Sequence, residues 1–182
     1  MIRLFVAVPL PLQVRQSLAR ISTGVPGARW TQPDNLHLTL RFIGEVREPK
    51  AHDIAEALSL VEGRPFQVRV RGVGQFGDRK RARVLWAGVE PQAEVQLLHT
   101  RIENKLKRIG LAPEGRKFQA HVTLARLKGA SIDRVGRFLF DHAGFETPPF
   151  EVSGFSLFSS HLGQAGAIHS VEADYPLVDA AA

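Results

Sequence analysis

The 182 residues carry 24 Lys+Arg against 18 Asp+Glu, a formal net charge of +6, and are 44% hydrophobic and 23% charged. That balance suits a folded chain long enough for one compact domain or two small fused lobes, and it excludes disorder and fibrous repeats. The absence of cysteine excludes disulfide scaffolds, Cys-ligated zinc, iron–sulfur clusters and thiol nucleophiles, and no apolar run reaches the roughly 20 residues that span a bilayer.

Ile2–Val8 is β-rich and closes at Pro9, which predicts a strand. Read as a signal sequence, its apolar core is short, Pro9 and Pro11 interrupt it, and no small-residue cleavage site follows, so an intracellular, cytoplasmic protein is expected. Leu12 to Ile21 places Val14, Leu18 and Ile21 on one face of a helix that Gly24 and Pro26 end. Leu36–Ile43 alternates as a strand. Lys50–Val61 carries Ile54, Leu58 and Val61 at helical spacing and stops at Gly63. Phe66–Val73 and Ala82–Val89 are strands joined by a Gly- and Arg-rich turn. Pro91 and Gly110 bracket a long helix with Val95, Leu98, Ile102, Leu106 and Ile109 as its stripe. Phe118–Leu127 is a strand, Ser131 caps a helix with Ile132, Val135 and Leu139, and Phe150–Phe158 and Ala167–Leu177 complete the sheet. Hairpin-like strand pairs mixed with single helices predict an α+β fold with antiparallel sheets rather than a doubly wound parallel one.

One short pattern occurs twice: Asn35-Leu-His-Leu-Thr-Leu40 and Gln119-Ala-His-Val-Thr-Leu124. At this His and Thr content, chance supplies a His-x-Thr only ~0.2 times. A strand period of two sends His37 and Thr39 to one face, and His121 and Thr123 likewise. Leu36, Leu38 and Leu40, with Ala120, Val122 and Leu124, go to the other face and into a core. Two such strands meeting across a groove present two imidazoles and two hydroxyls. That set suits phosphodiester chemistry: a neutral His takes a proton from the attacking oxygen while a protonated His supplies one to the leaving oxygen. The Thr hydroxyls can donate to the non-bridging oxygens. Neither step calls for a metal.

These motifs, with Arg3-Leu-Phe-Val-Ala-Val8, Trp30, Arg41-Phe-Ile-Gly-Glu45, Val84-Leu-Trp86, Phe118, Ala125-Arg126 and Phe155-Ser-Leu-Phe-Ser-Ser-His-Leu-Gly163, resemble the 2H phosphoesterase superfamily. Within it the chain is most similar to the 2′-5′ RNA ligase/RNA 2′,3′-cyclic phosphodiesterase family. The resemblance implies a single bilobal domain over residues 1–182, with two antiparallel sheets flanked by helices and a central groove. It implies hydrolysis of RNA 2′,3′-cyclic phosphate ends to 2′-phosphate ends, with ATP-independent 2′-5′ ligation as the reverse, no cofactor, no metal and no membrane. RNA with such ends is the implied partner, purine nucleotides are further candidate ligands, and a monomer is expected. Carried over, His37 is the general acid and His121 the base. Thr39 and Thr123 hold the phosphate, and Arg126 contacts the phosphate or the nucleotide. The residues themselves leave open which imidazole is acid and which base. Strict alternation would put Arg126 on the face opposite His121, so a bulge or the strand's end must redirect it. Two positions depart from the family: Phe76-Gly77 stands where Phe-Pro is usual, and His169 near a usual Tyr.

Gly72–Gly77 fits a G-x-G-x-x-G string, but it leads into a strand rather than a helix, so it lacks a pyrophosphate site and reads as a turn. Arg79, Lys80, Arg81 and Arg83 form the densest basic cluster, either a solvated hairpin tip or an RNA-backbone contact. Most of the positive charge is Arg, whose guanidinium matches phosphate geometry. His52 and His99 read as surface residues, and His142 and His161 have no partner at ligand spacing. Two rivals remain open: an RNA- or nucleotide-binding module without turnover, and a sibling phosphodiesterase acting on a small cyclic nucleotide or 2′-5′ oligoadenylate.

Overall fold

The computed structural model describes residues 1–78 and 80–179, so Arg79 of the basic cluster lies outside the described residues. Among the described residues nine strands and four α-helices occur, and they include every expected element in the expected order: β1 (Ile2–Pro9), α1 (Leu12–Ile21), β2 (Ala28–Trp30), a 3-10 turn at Pro33–Asn35, β3 (His37–Val46), α2 (Glu48–Ser59), β4 (Phe66–Gly77), β5 (Ala82–Glu90), α3 (Gln92–Arg108), β6 (His121–Leu127), α4 (Ile132–Asp141), β7 (Phe150–Val152), β8 (Gly154–Gly163) and β9 (Gly166–Pro176). The α+β class is as expected.

Every strand pairing is antiparallel, and the path runs β7-β4-β5-β6-β3-β1-β8-β9, with β2 added beside β6. The two expected sheets are therefore its two halves. They join edge to edge at a single residue pair, Leu38 opposite Val122.

Helices α1, α2 and α3 bury the stripes their periodicity predicts, whereas α4 buries Val135 with Phe138 and leaves Ile132 of its expected stripe exposed. Val14 and Leu18 of α1, Ile54 and Leu58 of α2, Val95, Leu98, Ile102 and Leu106 of α3, and Val135 and Phe138 of α4 belong to one core cluster with Leu36, Leu38, Leu40, Val122 and Leu124 of the sheet. Burying such a side chain contributes about 1.5–3 kcal/mol, so the helices are held on the apolar face of the sheet. Gly110 takes φ +87° past the end of α3. Its N–H donates to the Lys107 carbonyl and that of Leu111 to the Leu106 carbonyl, a glycine-closed helix end.

Several boundaries differ from the sequence expectation. Strand β4 runs on to Gly77, so the Gly72–Gly77 stretch read as a turn is strand, paired with β5, and α2 spans Glu48–Ser59 rather than Lys50–Val61. Ala28–Trp30 forms the short strand β2, too brief to carry a periodic signal. Phe150–Phe158 divides at Ser153 into β7 and β8, which pair with β4 and with β1 and β9 respectively. Strand β6 begins at His121, since the Gln92 side chain takes both main-chain groups of Ala120, donating to its carbonyl at 3.0 Å and accepting from its N–H at 3.1 Å. Before it, Phe118 stacks face to face on His99 of α3, with ring centroids 4.0 Å apart. That contact also corrects the expectation for His99. Both its ring nitrogens are buried without a hydrogen-bond partner among the described residues, and burial lowers its pKa.

Candidate active site

The strand junction brings the two motifs together. Because β3 and β6 run antiparallel through Leu38–Val122, His37 lies towards Thr123 and Thr39 towards His121. Leu38 and Val122 are both fully buried, and all four polar residues sit on the opposite face, each partly buried.

The two imidazoles are held alike. His37 Nδ1 donates to the Asn35 carbonyl at 2.6 Å, and His121 Nδ1 donates to the Gln119 carbonyl at 2.7 Å. A carbonyl oxygen can only accept, so Nδ1 carries the proton and Nε2 of each ring is left for chemistry. Aromatic rings set the orientation. His37 stacks on Phe5 at 4.9 Å and lies over Phe158 at 6.3 Å. His121 meets Phe76 edge-on at 4.9 Å and Trp86 at 6.4 Å. Trp86 lies across Gly74, where a Cβ would come within 2.2 Å of the indole; only glycine admits that ring position. All four rings lie in stretches that the family resemblance had marked, but the sequence did not show that they pack on the histidines, and it did not show the paired carbonyls. The carbonyls carried no sequence signal, since every residue supplies one.

Burial dominates the acid–base behaviour. It pushes the pKa of His37 down to about 4, opposed by the hydrogen bond to Asn35 and assisted by the nearby charges of His169 and His121. Burial also lowers His121, against the pull of the Gln119 carbonyl. Both rings are thus neutral at neutral pH when the site holds no anion.

A matched pair of β-bulges decides where Arg126 goes. Along β3 the partners of β1 step from Arg41 directly to Thr39, leaving Leu40 over. Along β6 the partners of β5 step from Ala125 to Thr123, leaving Leu124 over. Each extra residue lies three positions after its His. Alternation is reversed beyond it, so Leu40 and Arg41 are both buried, as are Leu124 and Ala125. Phe42 and Arg126 then emerge on the His/Thr face. The bulge in β6 resolves the conflict that alternation posed for Arg126. In β3 the same device turns Arg41 inward, to donate to the Ala112 carbonyl at 2.5 Å and to pair with Glu103 at 3.2 Å.

Strand β9 adds a third imidazole that the motifs did not predict. His169 lies 5.4 Å from His37 and 4.9 Å from Phe5, edge-on to both, and burial lowers its pKa. The Asn35 side chain donates to the Ala167 carbonyl at 2.8 Å, so one residue ties His37 and β9 together. Of the two departures from the family pattern, His169 stands against His37, and Gly77 follows Phe76, the ring that meets His121. His161, facing Ile168 across the hairpin, is exposed and on the side opposite His169. His52 is exposed and pairs with Glu56, and His142 packs on Phe138 at the end of α4. A crevice of about 830 Å³, lined by Arg64, Arg101, Lys105 and Arg108 among others, includes none of the motif residues.

A family model described as LigT-like phosphoesterase matches residues 8–86 and 88–169, and each stretch contains one His-x-Thr strand. The chain belongs to the LigT-like phosphoesterase family. Among curated relatives, it is 38% identical over 159 residues to an RNA 2′,3′-cyclic phosphodiesterase of Aeropyrum pernix, covering 86% of this chain and 89% of that one. It is 34% identical to the protein of that name from Thermotoga maritima, over 93% and 92% of the two chains. The solved structure of TT0787 from Thermus thermophilus superposes with a TM-score of 0.80 at 28% identity, covering 96% of this chain and 97% of that one. Escherichia coli LigT complexed with 3′-AMP shares the LigT fold at a TM-score of 0.79 and 24% identity, covering 98% and 99%. Among the described residues, no helix is long and apolar enough to cross a membrane.

Proposed function

We propose that this LigT-like phosphoesterase opens RNA 2′,3′-cyclic phosphate ends to 2′-phosphate ends, using His37 and His121 as its acid–base pair. The observation that carries the proposal is the shared tethering of the two rings: both Nδ1 atoms donate to a carbonyl two residues back, and among the described residues neither Nε2, on either side of Leu38–Val122, has a hydrogen-bond partner. Curated relatives named RNA 2′,3′-cyclic phosphodiesterase at 38% and 35% identity support the substrate class.

In the proposed reaction, His121 Nε2 accepts a proton from water as the water oxygen bonds to phosphorus. The bond from phosphorus to the 3′ oxygen breaks, and protonated His37 gives its Nε2 proton to that oxygen. The product is a 2′-phosphate monoester beside a free 3′-hydroxyl. Thr39 and Thr123 donate to the non-bridging oxygens, and Arg126 offsets their charge or contacts the nucleotide. The phosphodiester brings one negative charge to rings that burial holds neutral, which raises their pKa values and favours the singly protonated pair. By microscopic reversibility the same groups serve ligation, with a 5′-hydroxyl in place of water and no ATP. The two sheet halves act as lobes of one domain over residues 1–182, and the protein works as a monomer.

Incubating the protein with an oligonucleotide ending in 2′,3′-cyclic phosphate tests the proposal. A 2′-phosphate product, formed at full rate in EDTA, is expected. A 3′-phosphate product would reverse the leaving oxygen, and strict dependence on added metal would overturn the two-His mechanism. Faster turnover of ADP-ribose 1″,2″-cyclic phosphate or 2′-5′ oligoadenylate would move the substrate class.

A further inference from the structure

Arg29 and Arg126 face each other directly across the β2–β6 ladder, in the central register of its three pairs. Both are exposed, and among the described residues neither is ion-paired to a carboxylate. Like charges directly opposite on neighbouring strands repel, with Cβ atoms ~4.5–5.5 Å apart. A ladder of three residues could avoid that at no cost to the core, because its other two pairs, Ala28–Leu127 and Trp30–Ala125, supply the apolar contacts.

The face matters as much as the pairing. The bulge at Leu124 turns Arg126 to the side that bears His121 and Thr123. Its partner Arg29 shares that side, while Trp30 turns back to pack against Phe138. The end of β2 is also fastened to the site. Thr31 N–H donates to the Leu124 carbonyl at 2.8 Å, and the Thr31 hydroxyl donates to the Thr123 carbonyl at 3.1 Å. A line therefore runs from Thr123 to Arg126 to Arg29. At ~3.3 Å per residue along a strand, it leads about 10 Å away from the Thr hydroxyls before crossing to β2.

We propose that Arg29 and Arg126 form a second phosphate subsite, which holds the backbone phosphate of the nucleotide adjoining the reacting end. Two guanidinium groups on adjacent strands can each donate to one phosphate, and an anion between them relieves their repulsion. The subsite makes the protein prefer an oligonucleotide over a nucleoside 2′,3′-cyclic phosphate that has no second phosphate. This inference rests on the cyclic-phosphate reading given above.

The test measures kcat/KM on a nucleoside 2′,3′-cyclic phosphate and on a short oligonucleotide ending in the same cyclic phosphate, for the wild type, Arg29→Ala and Arg29→Lys. Arg29→Ala is expected to lower the oligonucleotide-to-mononucleotide ratio roughly tenfold through KM, the scale of one lost charged hydrogen bond. Arg29→Lys restores part of it. The salt dependence of oligonucleotide KM also becomes shallower by about one phosphate contact. Arg137→Ala, which removes the partner of Asp141 on α4, leaves the ratio unchanged. Equal loss on both substrates would make Arg29 structural and overturn the subsite, as would an unaltered ratio. A wild-type protein that opens neither substrate fails the cyclic-phosphate reading itself, and the subsite falls with it.

Discussion

Leu38 and Val122, the middle residues of the two His-x-Thr motifs, are the pair at which β3 joins β6. Both have zero exposure. The two halves of the sheet thus meet where their polar residues must face each other, and the site is a consequence of how the halves are joined. With one pair at the junction, the geometry between the histidines depends on packing behind it more than on the ladder.

Truncation behind the junction is therefore costly. Leu38→Ala is expected to destabilise the protein by about 2–5 kcal/mol, the range for a fully buried leucine. Urea titration measures it; a loss below about 1 kcal/mol would show that the junction does not depend on this contact.

Each imidazole has its own proton to move. His37→Ala and His121→Ala are each expected to slow cyclic-phosphate opening by about 10²–10⁴-fold. The double variant is expected to be little slower than the worse single one, since the two act as a unit. Unchanged turnover in either variant, with an unaltered circular-dichroism spectrum, would remove that histidine from the acid–base pair; binding without turnover in the wild type would favour a binding module over an enzyme.

The pH dependence follows from burial. Catalysis needs one ring neutral and one protonated, and kcat/KM reports the free protein. Both pKa values lie below 6.5 there, that of His37 at about 4. The kcat/KM optimum is expected below pH 6.5, and the kcat optimum higher, because bound phosphate raises both values. For stability, a depressed His pKa favours the folded state fully above pH 6.5. Between 6.5 and about 4 the unfolded chain takes up the proton first, so stability falls with falling pH. At ~1.4 kcal/mol per pH unit, His37 contributes a loss of about 3 kcal/mol across that window. Denaturant midpoints of wild type and His37→Ala measured from pH 7 to pH 4 check the slope, which should be shallower in the variant.

His169 acts on His37 through charge. Its protonated form lowers the His37 pKa, and a phenol in its place carries no such charge. His169→Tyr is expected to raise the His37 pKa above about 4, though not to 6.5, since burial is the larger cause. Titration of the His37 ring by NMR measures this; an unmoved titration would mean the 5.4 Å contact carries no electrostatic coupling.

Arg41 is a structural counterpart to these groups. Removing it by Arg41→Ala leaves the Glu103 carboxylate, 17% exposed, without its cation, and is expected to destabilise by about 3 kcal/mol. The double variant Arg41→Met/Glu103→Leu should recover most of that, by thermal melting.

What the sequence determined by itself is the set of local patterns. The periods of 3.6 and 2 placed every helix and nearly every strand, and the repeated His-x-Thr put its two polar residues on one face before any contact was known. Those features depend on residues a few positions apart. The positive charge was legible as a number, but the place of Arg126 was not: a bulge is an offset between two strands, and β6 acquires one only when β5 pairs with it. The same holds for the Leu38–Val122 junction, for His169 beside His37 and for Arg29 beside Arg126. Each joins residues distant in the chain, so packing and ladder register decided them, as local periodicity could not.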